Sequence, residues 1–305
     1  MTSATASAQR LRELLDGPAV VRLPGVFDAP SSALAAQAGA SAVCLSGATV
    51  SAVDLGVPDL GFVHGTDIAR RAASLVPSLD GVPLLADADT GYGHALQARQ
   101  TARSYAAAGI AGLHLEDQES PKRCGHLAGK SVVDAAEAAG RVRAAVEAGT
   151  GLVVVARTDA LSVRGLSSVV ERCLAFADAG ADAVFVEGAG LAELEEVAAA
   201  LAARGHRTPQ VYNRSEAGGA IDSGPGDEEL YQVGVRLVIH PVSALLAAAY
   251  AVRRAMNEIL TSGHAGSVDR LAWPELTDLV GLPGLLDDEQ RYAAPSAARL
   301  EERSR

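Results

Sequence analysis

Short apolar runs alternate with longer Ala-rich stretches along most of the chain. Eight runs are bounded by turn residues: Ala19-Val-Val-Arg-Leu23, Ala42-Val-Cys-Leu45, Pro83-Leu-Leu-Ala86, Gly112-Leu-His-Leu115, Leu152-Val-Val-Val-Ala156, Ala183-Val-Phe-Val186, Gln210-Val-Tyr212 and Arg236-Leu-Val-Ile239. Runs this short and this apolar predict strands buried on both faces. The intervening segments carry helical spacing, as in Ala69–Leu75, Ala95–Ala108, Val133–Ala148, Leu166–Ala179 and Leu191–Arg204. Several end in Ala-Gly (38–39, 108–109, 148–149, 179–180), where a glycine takes the left-handed cap and releases the next strand. Eight strand–helix repeats of about thirty residues predict an α/β fold, a closed (β/α)8 TIM-type barrel. A doubly wound open sheet would show a Gly-rich phosphate loop after an early strand, and none stands there. The pattern then changes to one helix over Leu245–Leu260, a break at Gly263-His-Ala-Gly266, and a further segment from Trp273 to Gly281. Residues 1–244 are read as the barrel with its catalytic mouth, and 245–305 as a C-terminal helical extension of the same domain. Residues 214–227 read as a loop.

The ends of the runs are polar. Ser46-Gly47, Asp87-Ala-Asp89, Glu116-Asp117, Arg157-Thr-Asp159, Glu187-Gly188, Asn213-Arg214 and His240-Pro241 follow seven of the eight. In a barrel, the C-terminal strand ends converge on one mouth, where such folds do chemistry.

Composition narrows the partners. Nearly half of the 305 residues are apolar but only 4% aromatic, so small aliphatic side chains do the packing. A net charge of −11 disfavours a duplex nucleic acid or an anionic membrane as the main partner. No apolar stretch reaches spanning length, and the first residues lack a basic-then-apolar leader. Cys44, Cys124 and Cys173 form no paired framework, so the expectation is free thiols in the cytoplasm. Of 26 basic residues only Lys122 and Lys130 are lysines, and both fall in one nine-residue stretch. Ammonium and guanidinium are not interchangeable, so this stretch carries a local requirement for lysine.

Three constellations carry chemistry. Asp87 and Asp89 lie two apart, on one face of a strand end, and offer hard oxygen ligands suited to Mg2+ or Mn2+. Glu116 and Asp117 on the next strand are candidates for further ligands. In Pro121-Lys-Arg-Cys-Gly-His126, the cysteine sits among basic residues that lower a thiol pKa or ready it for proton transfer. Gly125 lets backbone amides approach a bound carboxylate. Cys44 and Cys173 read as inert core thiols. Ser46-Gly-Ala-Thr49 offers a hydroxyl and small residues at a strand end. Arg157 pairs bidentately either with a substrate carboxylate or with a neighbouring Asp. Glu187 and Asn213 are candidates of similar weight.

Taken in order, Leu-Ser-Gly-Ala (45–48), Leu-Gly-Val-Pro-Asp-Leu-Gly (55–61), Asp-Ala-Asp-Thr-Gly-Tyr-Gly (87–93), Gly-Leu-His-Leu-Glu-Asp-Gln (112–118), Pro-Lys-Arg-Cys-Gly-His (121–126) and Ala-Arg-Thr-Asp-Ala (156–160) resemble the isocitrate lyase/phosphoenolpyruvate mutase superfamily. The resemblance spans about residues 10–262. The cysteine loop is typical of its lyase branch, which includes the 2-methylisocitrate and 2,3-dimethylmalate lyases and oxaloacetate hydrolase; carboxyphosphonoenolpyruvate mutase is similar there. The resemblance implies a Mg2+-dependent barrel, assembled as a homotetramer with a helix exchanged between subunits. It puts Asp87, Asp89 and Glu116 around the metal, with Asp59 near it. Ser46, Gly47 and Ala48 would bind the carboxylate end that bears the oxo or hydroxyl group. Cys124, Gly125 and His126 would form a mobile gating loop, while Arg157, Glu187 and Asn213 hold the rest of the substrate. Lys122, Arg123 and His126 would poise Cys124 as the acid.

The expected activity is cleavage of a 2-hydroxy di- or tricarboxylate, 2-methylisocitrate-like, to a 2-oxo acid and a carboxylate. Phosphonate mutase chemistry, oxaloacetate hydrolysis and, last, a non-catalytic carboxylate-binding barrel are the alternatives. The chain departs from the methylisocitrate lyase pattern at Ser46-Gly-Ala-Thr49, Phe185-Val-Glu-Gly188 and Val211-Tyr-Asn-Arg214. Tyr212 and Arg214 therefore stand where selectivity would be set, and a smaller or differently charged acid is the expectation.

Overall fold

A computed structural model describes residues 3–216 and 224–293. Residues 217–223 of the loop read between 214 and 227, and residues 294–305 of the extension, lie outside the described residues. Eight parallel strands form one sheet: β1 (Val21–Pro24), β2 (Val43–Leu45), β3 (Leu84–Asp87), β4 (Gly112–Glu116), β5 (Val153–Thr158), β6 (Ala183–Val186), β7 (Gln210–Asn213) and β8 (Val235–His240). Each neighbours the next in sequence, and β1 pairs with β8. A parallel bridge between Gly25 and Cys44, with the Val26 N–H donating to the Cys44 carbonyl at 2.9 Å, brings β1 to β2. The sheet thus curls into the expected (β/α)8 barrel with flanking helices. Gly25 is required at this seam, because a side chain there would run into the Pro241 carbonyl.

Every predicted run holds a strand. β3, β4, β5, β7 and β8 extend one or two residues further, so the polar ends are themselves part of the ladder. β1 begins two residues later than its run and ends at Pro24. The predicted helices form over Gly65–Leu75, Ala95–Ala107, Ala135–Val146, Leu166–Asp178 and Leu191–Ala203. The four Ala-Gly ends carry the left-handed cap, with φ of 81°, 85°, 74° and 91° at Gly39, Gly109, Gly149 and Gly180.

Strand alternation divides the core in two. Leu23, Cys44, Leu85, Val153, Val155, Ala183, Phe185, Val211, Leu237 and Ile239 fill the barrel interior. Their neighbours, among them Val43, Leu45, Leu84, Leu113, Leu115, Val154 and Val184, pack outward against the helices. The helix Ser3–Leu15, which the strand pattern does not announce, sends Leu11 and Leu15 into the interior cluster. Each such buried leucine contributes roughly 1.5–3 kcal/mol. Leu11 sits against Gly112, at the N-terminal end of β4, so this end of the barrel is plugged by apolar packing. The chain continues into a helix over Ser243–Ser262, two residues longer at each end than the pattern predicts. The described residues divide into compact units at Tyr250/Ala251, inside that helix. The second unit adds helices Trp273–Leu279 and Leu282–Ala293 and exposes Met256, Leu260, Trp273, Leu285 and Tyr292.

Candidate active site

The parity that builds the interior also builds the mouth. On β5, Val153 and Val155 point inward, and the next inward positions are Arg157 and Asp159. On β3 the series Leu85, Asp87 runs inward; on β4 it is Gly112, His114, Glu116; on β6 it is Phe185, Glu187. Of the residues singled out in the sequence, Ser46, Ala48, Asp59, Asp87, Lys122, Cys124, Gly125, His126, Arg157, Glu187 and Asn213 line one cavity. Leu45, Ile239, Pro241 and Val242 supply its apolar wall. Gly47, Asp89 and Glu116 are not in the lining but adjoin it. The Gly47 N–H donates to Asp87 Oδ2 at 3.0 Å, and Glu116 Oε2 lies 3.4 Å from Arg157 Nη1.

Asp87 is buried and tightly held. The Asp89 N–H donates to its Oδ1 at 3.0 Å, and the Tyr105 hydroxyl donates to its carbonyl at 2.7 Å. Burial raises its pKa, but His114, Lys122 and Arg157 outweigh burial and hold the carboxylate below its usual range. Asp89 is pushed up to about 7, by burial and then by the Asp87 charge. Asp89 also adopts φ 42°, a left-handed backbone that non-glycine residues rarely take and that turns the chain sharply at the mouth. Lys122 Nζ lies 2.5 Å from Asp59 Oδ1 and 2.9 Å from Asp89 Oδ1, with 5% of the side chain exposed. This buried ammonium neutralises a carboxylate cluster, and its pKa is raised by those same acids against the pull of burial. Removing one partner from such a pair costs about 3–5 kcal/mol, because the other charge is left buried.

These carboxylates fit a hard divalent cation. Glu116 Oε1 is a buried oxygen without a hydrogen bond, and Asp89 Oδ1 has the Lys122 ammonium as its partner at 2.9 Å. Burial lifts the Glu116 pKa well above the usual range, against the pull of Arg157. Both are conditions that a cation relieves. Among the described residues no three His, Cys, Asp or Glu side chains already converge as a cage.

Asp117 is a different matter. It follows the inward Glu116 and so points outward, to Thr158 Oγ1 at 2.6 Å, the Asp159 N–H at 2.9 Å and Arg172 Nη1 at 2.9 Å. The expectation of a further ligand there is corrected by strand parity: Asp117 braces the helix layer. Arg157 takes the neighbouring Asp of its two options. Asp159 binds it bidentately at 2.9 and 3.1 Å, and Glu187 lies 3.4 Å from Nη2. The guanidinium stacks 5.1 Å above the Phe185 ring and stays charged, the three carboxylates outweighing burial. Asn213 Nδ2 reaches Glu187 at 3.2 Å.

The cysteine loop lies over this floor. Gln118 clamps Arg123 by accepting from its N–H at 3.0 Å and donating to its carbonyl at 2.9 Å, and the Cys124 N–H donates to the Asp59 carbonyl at 3.2 Å. Gly125 passes so close to Arg157 and Glu187 that a Cβ would come within 2.5 and 2.8 Å of them. The Cys124 thiol pKa is raised, not lowered: burial and then Asp59 outweigh the His126 N–H, Lys122 and Arg157. The expected positive field fails because Lys122 is spent on carboxylates, while Arg123 faces solvent. Cys44 and Cys173 are buried, as expected of core thiols, and burial raises both; Cys44 reaches about 12.

His114 is the functional-site residue that sequence reasoning missed. It lines the cavity, with Nδ1 3.5 Å from Asp87 Oδ1 and its ring edge-on to Phe185, and burial, against the pull of Asp87, lowers its pKa. Its parity with Glu116 was the available signal.

The sequence model described as phosphoenolpyruvate phosphomutase matches residues 11–260. The chain belongs to this family. Within the family it is similar to 2-methylisocitrate lyase of Bacillus subtilis (strain 168), with 40% identity over 248 residues, 81% of this chain and 79% of that one. It is 34% identical to 2,3-dimethylmalate lyase of Eubacterium barkeri over 303 residues, covering 94% and 98% of the two chains. The fold superposes on oxaloacetate acetylhydrolase in complex with the inhibitor 3,3-difluorooxalacetate with a TM-score of 0.86 at 32% identity, covering 96% of this chain and 99% of that one. Phosphonopyruvate hydrolase in complex with oxalate and Mg2+ aligns with a TM-score of 0.81 at 27% identity, covering 94% and 99%. These relatives make the chain a carbon–carbon lyase of the phosphoenolpyruvate phosphomutase family. No helix among the described residues is long and apolar enough to cross a membrane.

Proposed function

We propose that the chain cleaves a 2-hydroxy di- or tricarboxylate to a 2-oxo acid and a carboxylate, with Mg2+ or Mn2+ held by Asp87, Asp89 and Glu116. The observation that carries this reading is the position of Cys124, which lines the same cavity as Asp59, Asp87 and Lys122 and whose thiol pKa burial raises. A bound divalent cation would polarise the hydroxyl and carboxylate oxygens of such an acid. The Ser46 hydroxyl accepts from the Ala48 N–H at 3.1 Å, which leaves its own proton for the substrate carboxylate. Arg157, Glu187, Asn213 and His126 hold the remainder. The hydroxyl proton must leave as the carbon–carbon bond breaks, and we assign its acceptance to Asp59. The departing fragment carries the bonding electron pair as a carboxylate-stabilised carbanion. Cys124 donates the proton that quenches it. A general acid must hold its proton until that moment, so a raised thiol pKa serves the reaction better than a lowered one. The docked loop excludes water from the carbanion. The exposed apolar side chains between Leu246 and Leu260 fit the expected homotetramer, which light scattering at micromolar concentration would test.

The test is a panel of 2-hydroxy di- and tricarboxylates, with oxaloacetate and phosphonates included, assayed with Mg2+ and Mn2+ for release of a 2-oxo acid. Release from a hydroxy acid is expected. Consumption of phosphonates alone, or of oxaloacetate alone, would overturn the lyase reading.

A further inference from the structure

Lys130 is the second of the two lysines, and the chemistry above does not use it. Its side chain is 6% exposed. The ammonium donates to the Gly125 carbonyl at 2.6 Å and to Asp159 Oδ1 at 3.0 Å. Asp159 is a fixed point. It is fully buried, Arg157 grips its carboxylate bidentately, and its own N–H donates to Asp117, which Arg172 and Thr158 hold in turn. Lys130 therefore fastens the loop backbone next to Cys124 to the rigid rim of the barrel. The upstream half of the loop has its own anchors at Gln118 and Asp59. Downstream, His126 approaches Glu187 only to 3.9 Å, so the Lys130 tie is the short one.

We propose that Lys130 is the latch that keeps the Cys124 loop docked. It is a positioning residue: it acts through Gly125 and Asp159 and touches no reacting atom. The geometry also accounts for lysine in an arginine-rich chain. One ammonium nitrogen serves a carbonyl and a carboxylate together, whereas a guanidinium spreads its donors over a rigid planar fork. The expected effect on turnover rests on Cys124 as the acid; the docking itself does not.

Thiol accessibility separates the two. Cys44 and Cys173 are 3% and 1% exposed, so in the folded protein a thiol reagent such as Ellman's counts Cys124 alone. Cys124→Ser protein supplies the zero. Lys130→Met is expected to raise the rate of Cys124 modification at least tenfold, still with one reactive thiol. It should also lower kcat at least tenfold on whichever acid the panel finds. Lys130→Arg keeps a cation facing Asp159 and should give an intermediate rate. A wild-type modification rate in the methionine variant would overturn the latch. If that variant exposes three thiols at once, having lost its fold, the arginine variant decides, and a wild-type rate there overturns the latch equally. Faster modification with no hydroxy acid turned over would support the latch and sink only the lyase reading.

Discussion

Gly125→Ala tests the closest approach in the site. An added Cβ would stand 2.5 Å from Arg157 Nη2 and 2.8 Å from the Glu187 side chain. Neither neighbour is free to step aside. Asp159 clamps Arg157 by two hydrogen bonds, and Glu187 is 5% exposed and tied to Asn213. Ordinary contact begins near 3.4 Å, so the loop backbone must retreat by about 0.9 Å. Cys124 is the preceding residue and moves with it. A misplacement of about 1 Å in a reacting group costs on the order of 10²-fold in rate. The expected result is a kcat about 10²-fold below wild type, with faster Cys124 modification. The melting temperature should change little, because the loop contributes little to either apolar core. The assay is steady-state kinetics on the panel substrate alongside thiol modification and thermal melting. A kcat within about threefold of wild type would show that the loop does not need its observed position, and the reasoning would fail.

Cys124→Ser should lower kcat by about 10²–10⁴-fold with substrate affinity little changed, since a hydroxyl gives up its proton far less readily than a thiol; near-normal kcat removes Cys124 as the acid. Exhaustive chelation should abolish activity, with Mg2+ or Mn2+ restoring it; full activity in protein shown metal-free by elemental analysis refutes the role of Asp87, Asp89 and Glu116. Because burial raises the Cys124 pKa, its acid form persists above the usual thiol range, so activity should hold across neutral pH and fall as pH rises past that raised value. An alkaline limb of kcat below the ordinary thiol range, or one unmoved in Cys124→Ser, contradicts the assignment.

The barrel was legible because its strands are buried on both faces and so read as unbroken apolar runs. The carboxylates proposed as metal ligands stood out for a related reason: Asp87 ends β3 and Asp89 follows two positions on. What periodicity could have added was left unused. Counting inward from Val153 or Phe185 selects Arg157 and Glu187, and the same count on β4 selects His114 and rejects Asp117. The pKa of Cys124 was beyond such counting. Three basic neighbours in sequence predicted a positive field, but where each side chain goes depends on partners far along the chain. Lys122 is claimed by Asp59 and Asp89, 63 and 33 positions away, and Lys130 by Asp159. The N-terminal helix escaped because its leucines answer to the barrel interior and not to a repeat.

Burial, and after it the Asp59 charge, raise the pKa of the Cys124 thiol in this mouth. Asp59, Asp87, Asp89, Glu116, Asp159 and Glu187 bring six carboxyls to a region with three cations, Lys122, Lys130 and Arg157, and with the imidazoles of His114 beside Asp87 and His126 beside Glu187. On the proposed reading the region would gain from an added cation, which the unpartnered Glu116 Oε1 would meet. A thiolate at Cys124 would lose hydration by burial and would add a negative charge beside Asp59, and both raise the thiol pKa. Asp159 joins the two halves, with one oxygen on Lys130 and both on Arg157 of the cavity floor. Loop position and floor geometry are in this way set by a single buried carboxylate.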